Sequence, residues 1–200
     1  MEQVLFKRVA RLCALVVIFL LIIACSPKLN WRTVQSPEQG YTALFPGKPD
    51  KLERLIPIGD QEFRQTLEAV KVDDDVYSIS AIVIPAKQAK TDLVKKITTQ
   101  LQSNLLERAK TSGGSVAAEA AYFQNKLHQR ITTEDYYLVF NGTGKTRQSM
   151  RVRWITRVND SGDISIYQVS VLHLNADTGD VKELLSKEEY ANFFNEFYPE

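Results

Sequence analysis

Cysteine is nearly absent from this chain: its 200 residues hold two, Cys13 and Cys25, and nothing after position 25 carries a thiol. That excludes a disulfide within the remainder and any zinc site built on cysteines. Histidine is as scarce, and His128 and His173 stand without metal-ligand spacing. Neither sign of charge dominates, since 25 Lys and Arg meet 24 Asp and Glu; this balance gives no ground for general nucleic-acid binding. Internal repeats and long low-complexity tracts are missing, and no Gly-x-Ser-x-Gly elbow occurs. Stability must therefore come from packing, and function from residues dispersed along the chain.

The longest apolar run stands at the start. Lys7, Arg8 and Arg11 form a positive head, residues 12–23 are unbroken apolar, and the small Ala24 precedes Cys25. This is the layout of a secretory signal. Residues 12–24 number 13, short of the roughly 20 a helix needs to span a bilayer, so a cleaved signal fits better than a permanent span. The stretch Ile22-Ile23-Ala24-Cys25 resembles the lipobox of bacterial lipoproteins. The resemblance implies cleavage before Cys25, a diacylglycerol on its sulfur and acylation of the new amino group with a chain such as palmitate. Two or three acyl chains, at about 0.8 kcal/mol per buried CH₂, hold firmly where one holds marginally. Ser26, rather than Asp, follows the cysteine. By the same resemblance that implies the outer membrane, facing the periplasm, with the inner membrane or the cell surface as alternatives. The chain then divides into a signal peptide, 1–24, a lipidated tether, 25–30, and one domain, 31–200. Loss of the signal removes three basic residues and Glu2, leaving a net charge of −1.

Alternation and turn residues predict strands at 31–35 and 41–45 around Ser36-Pro37-Glu38-Gln39-Gly40, and at 52–58 and 61–72 around Gly59-Asp60. The apolar run 76–84 predicts a central strand covered on both sides. Leu93, Ile97, Leu101 and Leu105, with Val94 and Ala109 beside them, form one stripe of a helix over 91–110, with Thr91 as N-cap. Strands are expected at 116–123, 127–133, 136–140, 147–158 and 164–174, with Asn141-Gly142-Thr143-Gly144 as a hairpin turn. A helix over 181–198 carries a Ser186/Glu189 capping box and an aromatic face of Tyr190, Phe193, Phe194 and Phe197. The expected fold is α+β: an antiparallel sheet with one central and one C-terminal helix packed on it.

The order of these pieces, with Trp31 opening the first strand, Phe45-Pro46-Gly47-Lys48-Pro49 closing the second and Phe193-Phe194-Asn195-Glu196-Phe197 at the end, resembles the PsbP/Mog1-like superfamily. That resemblance spans residues 31–198 and implies an antiparallel sheet flanked by helices. It also implies a binding or assembly role, and it brings no catalytic residues with it. Fold alone assigns no function.

Candidate chemistry is sparse. Gly144-Lys145-Thr146 mimics the end of a phosphate-binding loop, but Val139 stands where the first glycine is required. Asn175, Asp177 and Asp180 suggest a calcium loop, yet Asp180 takes the glycine position and Ser186 that of the bidentate glutamate. Glu134 and Asp135, or Glu188 and Glu189, are sequence neighbours that point different ways, which argues against paired acid–base work. No cofactor or metal is indicated.

One polar pattern remains. Along 147–158, Met150, Val152, Trp154 and Val158 share one face while Arg151, Arg153 and Arg157 share the other. Such a stripe is either a solvated outer face paired with cross-strand acids or a contact for an acidic envelope protein, anionic lipid headgroups or cell-wall carboxylates. The expected function is a membrane-anchored envelope module that binds or helps assemble a partner, with no enzyme activity and no nucleic acid involved. The alternative is an envelope enzyme or small-ligand carrier whose site is built from scattered residues, and a deep cavity with convergent polar groups would favour it.

Overall fold

The computed structural model describes residues 29–125, 127–142, 147–175 and 179–200. The signal segment and Cys25 lie outside them, as do Gly144, Lys145, Thr146 and Asp177. Trp31–Glu200 forms a compact unit. Its elements are β1 (Arg32–Ser36), β2 (Tyr41–Phe45), β3 (Asp50–Ile58), β4 (Gln61–Val72), β5 (Asp75–Ile84), α1 (Thr91–Thr111), β6 (Val116–Gln124), β7 (Arg130–Asn141), β8 (Arg147–Val158), β9 (Ile164–His173), α2 (Val181–Leu185), α3 (Glu188–Asn195) and β10 (Phe197–Pro199).

Seven strands make an antiparallel sheet in the order β3-β4-β5-β9-β8-β7-β6, and three more pair antiparallel as β1-β2-β10. The fold class is thus α+β with antiparallel sheets. The expected single C-terminal helix is corrected: 181–198 breaks into α2, α3 and a short strand. Asp180 caps α2 by accepting the Lys182 N–H at 2.8 Å, and Lys187 stands at the N-cap of α3 without a side-chain cap, so no Ser186 box forms. Thr91 is likewise not a cap, because the helix is entered through Lys90.

Two faces of the large sheet are covered by different layers. The α1 stripe packs on one face, where Ile97 and Ala109 are fully buried against Ile82, Ile84, Leu138 and Val152. On the other face, α2, α3 and the small sheet close a core of aromatics. Phe193 lies 5.3 Å from Phe45 and 5.4 Å from Tyr77 between ring centroids, and such pairs add about 0.5–1.5 kcal/mol beyond their burial. Both faces of β5 are therefore dry, as its apolar run predicts. The end of α1 needs glycine: a Cβ on Gly114 would stand 1.7 Å from the Val139 carbonyl oxygen.

The expected break between strands 127–133 and 136–140 does not exist. Glu134 and Asp135 continue one strand, β7, with Glu134 turned outward to accept a hydrogen bond from Tyr136 at 2.6 Å and Asp135 buried. Successive residues of a strand point to opposite faces, so a polar pair need not end it.

Candidate functional site

The basic side of β8 is not a solvated stripe. Arg153 is 1 % exposed and Arg151 is 7 % exposed; the face they share is the one that α2 and α3 cover. As an exposed docking row for an acidic partner or anionic surface, the pair is corrected: what sequence periodicity assigns to one side of a strand, the C-terminal segment buries. Arg157 is separate. Four residues farther along β8, roughly 13 Å at strand rise, it is half-buried at a second concavity of about 630 Å³ with Tyr167 and Ser165. Its Nε has no partner among the described residues. The arginines expected as one stripe thus fall at two places.

Asp135 is what makes the buried pair tenable. Register sets it directly across from Arg153. Its Oδ2 accepts from Arg151 Nε at 3.0 Å, from Arg151 Nη2 at 2.6 Å and from Arg153 Nη2 at 2.9 Å, while its Oδ1 accepts from Arg153 Nε at 2.6 Å. The Nη1 groups turn the other way: that of Arg151 donates to the Leu185 carbonyl at 3.1 Å and that of Arg153 to the Phe194 carbonyl at 3.0 Å. Those carbonyls belong to the last turns of α2 and α3, where oxygens lack intrahelical partners and the helix dipole is negative. The arginines therefore tie both short helices to the sheet and explain why 181–198 turns where it does. The Phe194 ring completes the enclosure, 4.2 Å from the Arg151 guanidinium carbon and 5.3 Å from that of Arg153.

This cluster forms the buried side of a cavity of about 630 Å³ between the free edge strand β6 and the α3–β10 segment, lined also by Tyr137, Asn195 and Tyr198. At the mouth, Lys182 pairs with Glu119 at 2.9 Å, which raises the ammonium above the ordinary lysine range. Tyr198 donates to Glu196 at 2.9 Å, and burial followed by that carboxylate raises its phenol.

A second polar group sits at the far end of the same sheet face. Asp75, His173 and Ser149 are paired side by side across β5, β9 and β8. His173 Nδ1 donates to Asp75 Oδ1 at 2.7 Å, and Tyr190 donates to Asp75 Oδ2 at 3.0 Å. Burial first, then Asp75, pushes the Tyr190 phenol far above its ordinary value. The row has the order of a nucleophile, base and orienting acid, but Ser149 and His173 make no hydrogen bond and Ser149 is 2 % exposed. A nucleophile and its base must meet; these groups instead fasten α3 to the sheet through Tyr190. Among the described residues no three His, Cys, Asp or Glu side chains gather as for a metal.

Asp135, Leu185 and Phe194 are absent from the sequence expectations for this site. The available signal was an arginine pair at i and i+2 interleaved with the apolar Met150, Val152, Trp154 and Ile155 of the same strand, since arginines buried in such a setting need an acid nearby. No family model matches the chain, and no curated protein matches it.

Proposed function

We propose that the protein is a membrane-anchored cell-envelope lipoprotein whose domain binds a small ligand, held at the bilayer by acyl groups on Cys25. The observation that supports ligand binding over partner assembly is the cavity beside β6. Its volume falls in the range of ligand sites, roughly 300–1,000 Å³, and guanidinium, phenol, amide and carboxylate groups from four separate stretches converge on it. Such groups hold and orient. The address rests on Ile22-Ile23-Ala24-Cys25, and the α+β arrangement is in keeping with a PsbP/Mog1-like sandwich, a type suited to binding.

Two measurements test this. In a Gram-negative host, Cys25→Ser should shift the protein from the membrane to the soluble fraction, and unchanged fractionation would remove the anchor. A photo-crosslinking residue at Asn195, which is exposed at the mouth, should capture a small molecule in native envelopes. Exclusive capture of protein there would favour the assembly role instead.

A further inference from the structure

Taking the cavity as the ligand site, we infer that its ligand carries an oxyanion, a carboxylate or a phosphate, which docks against the Arg151–Arg153 pair. The inference starts from unequal charge. Two guanidiniums, always protonated, share the single carboxylate of Asp135, and all three side chains are nearly dry, at 9 %, 2 % and 4 % exposure. The two helix-end carbonyls offset part of the surplus, but α2 has 5 residues and α3 has 8. Even a long helix supplies only about half a charge at its end. A positive remainder therefore faces the cavity, in surroundings that screen it poorly.

Donor capacity points the same way. A guanidinium has five N–H donors, and each of these two uses three, two on Asp135 and one on a helix carbonyl. Two N–H groups on each are left without a partner among the described residues, and both arginines line the cavity. Forked guanidinium donors match an oxyanion in shape as well as in charge. At the mouth, Glu119 is neutralised by Lys182, whereas among the described residues the exposed Glu196 receives only the Tyr198 hydroxyl. Glu196 should thus weaken anion entry without touching the floor.

The test is titration of the full chain, in neutral detergent with nitrogen-15 arginine, following the guanidinium Nε–H signals. Acetate, D-glucuronate and inorganic phosphate are the probes, with glucose and added sodium chloride as controls. Arg151→Lys and Arg153→Lys assign the two signals. The expected result is a saturable shift of both with at least one oxyanion, which also tells carboxylate from phosphate. Glu196→Gln, an exposed side chain that makes no bond to Asp135 or the two arginines, should tighten that binding about two- to fivefold at low salt and leave glucose unaffected. In whichever lysine variant stays folded, binding should weaken about tenfold or more. The inference is overturned if no oxyanion moves these signals in the folded wild-type chain, or if sodium chloride moves them equally. Should glucose or another neutral compound saturate the cavity while oxyanions do not, ligand binding stands and the anionic class falls.

Discussion

Replacing Asp135 by Asn removes one charge and almost no volume, and the structure gives the consequence. Four hydrogen bonds from two guanidiniums end on that carboxylate. An amide offers one oxygen and presents N–H donors to the other guanidinium, so one arginine faces donors at short range and two like charges are left nearly dry. Breaking a buried ion pair from one side costs about 3–5 kcal/mol, against a total of about 5–15 for a whole domain. For a domain of this size the melting temperature should fall by about 6 to 20 °C. Urea unfolding of Asp135→Asn, Arg151→Met and the double variant forms the cycle that isolates the pair. With Arg151 gone, the asparagine can still serve Arg153, so the double variant should be more stable than the sum of the singles implies, by about 1–3 kcal/mol. A loss below about 1 kcal/mol in Asp135→Asn, or strict additivity, would refute the assignment of this triad as the fastening of the C-terminal helices.

Other consequences follow from single contacts. Gly114→Ala puts a Cβ into the Val139 carbonyl and should cost about 1–3 kcal/mol or more, read by thermal unfolding; a neutral outcome would mean that the α1 end is not packed as described. Tyr190→Phe deletes the hydroxyl on Asp75 while leaving His173 in place, with an expected loss of about 0.5–1.5 kcal/mol in urea. Stability should also fall at alkaline pH. Tyr136 is pushed up to about 12, first by its hydrogen bond to Glu134, and Tyr167 to about 12, first by burial; burial holds Tyr41, Tyr77 and Tyr190 higher still. Since unfolded tyrosine ionises near about 10, this stabilisation is complete below that pH and is lost as pH rises through about 12. Phenolate absorbance should show these groups titrating well above pH 10, by about pH 12 or together with unfolding, and free titration near pH 10 would contradict it.

Local signals carried most elements. Alternation and turn residues place β2 and β4 at the observed residues, and the four-residue leucine and isoleucine spacing places α1 and its buried face. What failed were properties set by distant chain. Period two assigns Arg151 and Arg153 to one side of β8, but whether that side is wet depends on residues 181–199. Their partner Asp135 reads in sequence only as half of a neighbouring acid pair, although the opposite pointing of Glu134 and Asp135 is what sends one carboxylate inward. The C-terminal segment departs from a single helix for the same reason. Its carbonyls at Leu185 and Phe194 are taken by side chains from another strand, and no window along 181–198 contains that information.

The donors free for a ligand are not those that hold the helices, because the Leu185 and Phe194 carbonyls occupy one N–H of each Nη1 and leave the second. An oxyanion seated on the pair can therefore bind without unlatching α2 and α3, and by offsetting the buried positive charge it should strengthen their seating. Binding to the folded state alone adds about 2.7 kcal/mol of stability at a hundredfold excess over Kd. The gain should be greatest where the guanidiniums grip, so amide hydrogen exchange at 181–198 should slow more than exchange in the β3–β4 hairpin at the far edge of the sheet. Faster exchange at 181–198 on binding would mean that the ligand takes the helix carbonyls' donors, and that the arginines latch or bind but cannot do both.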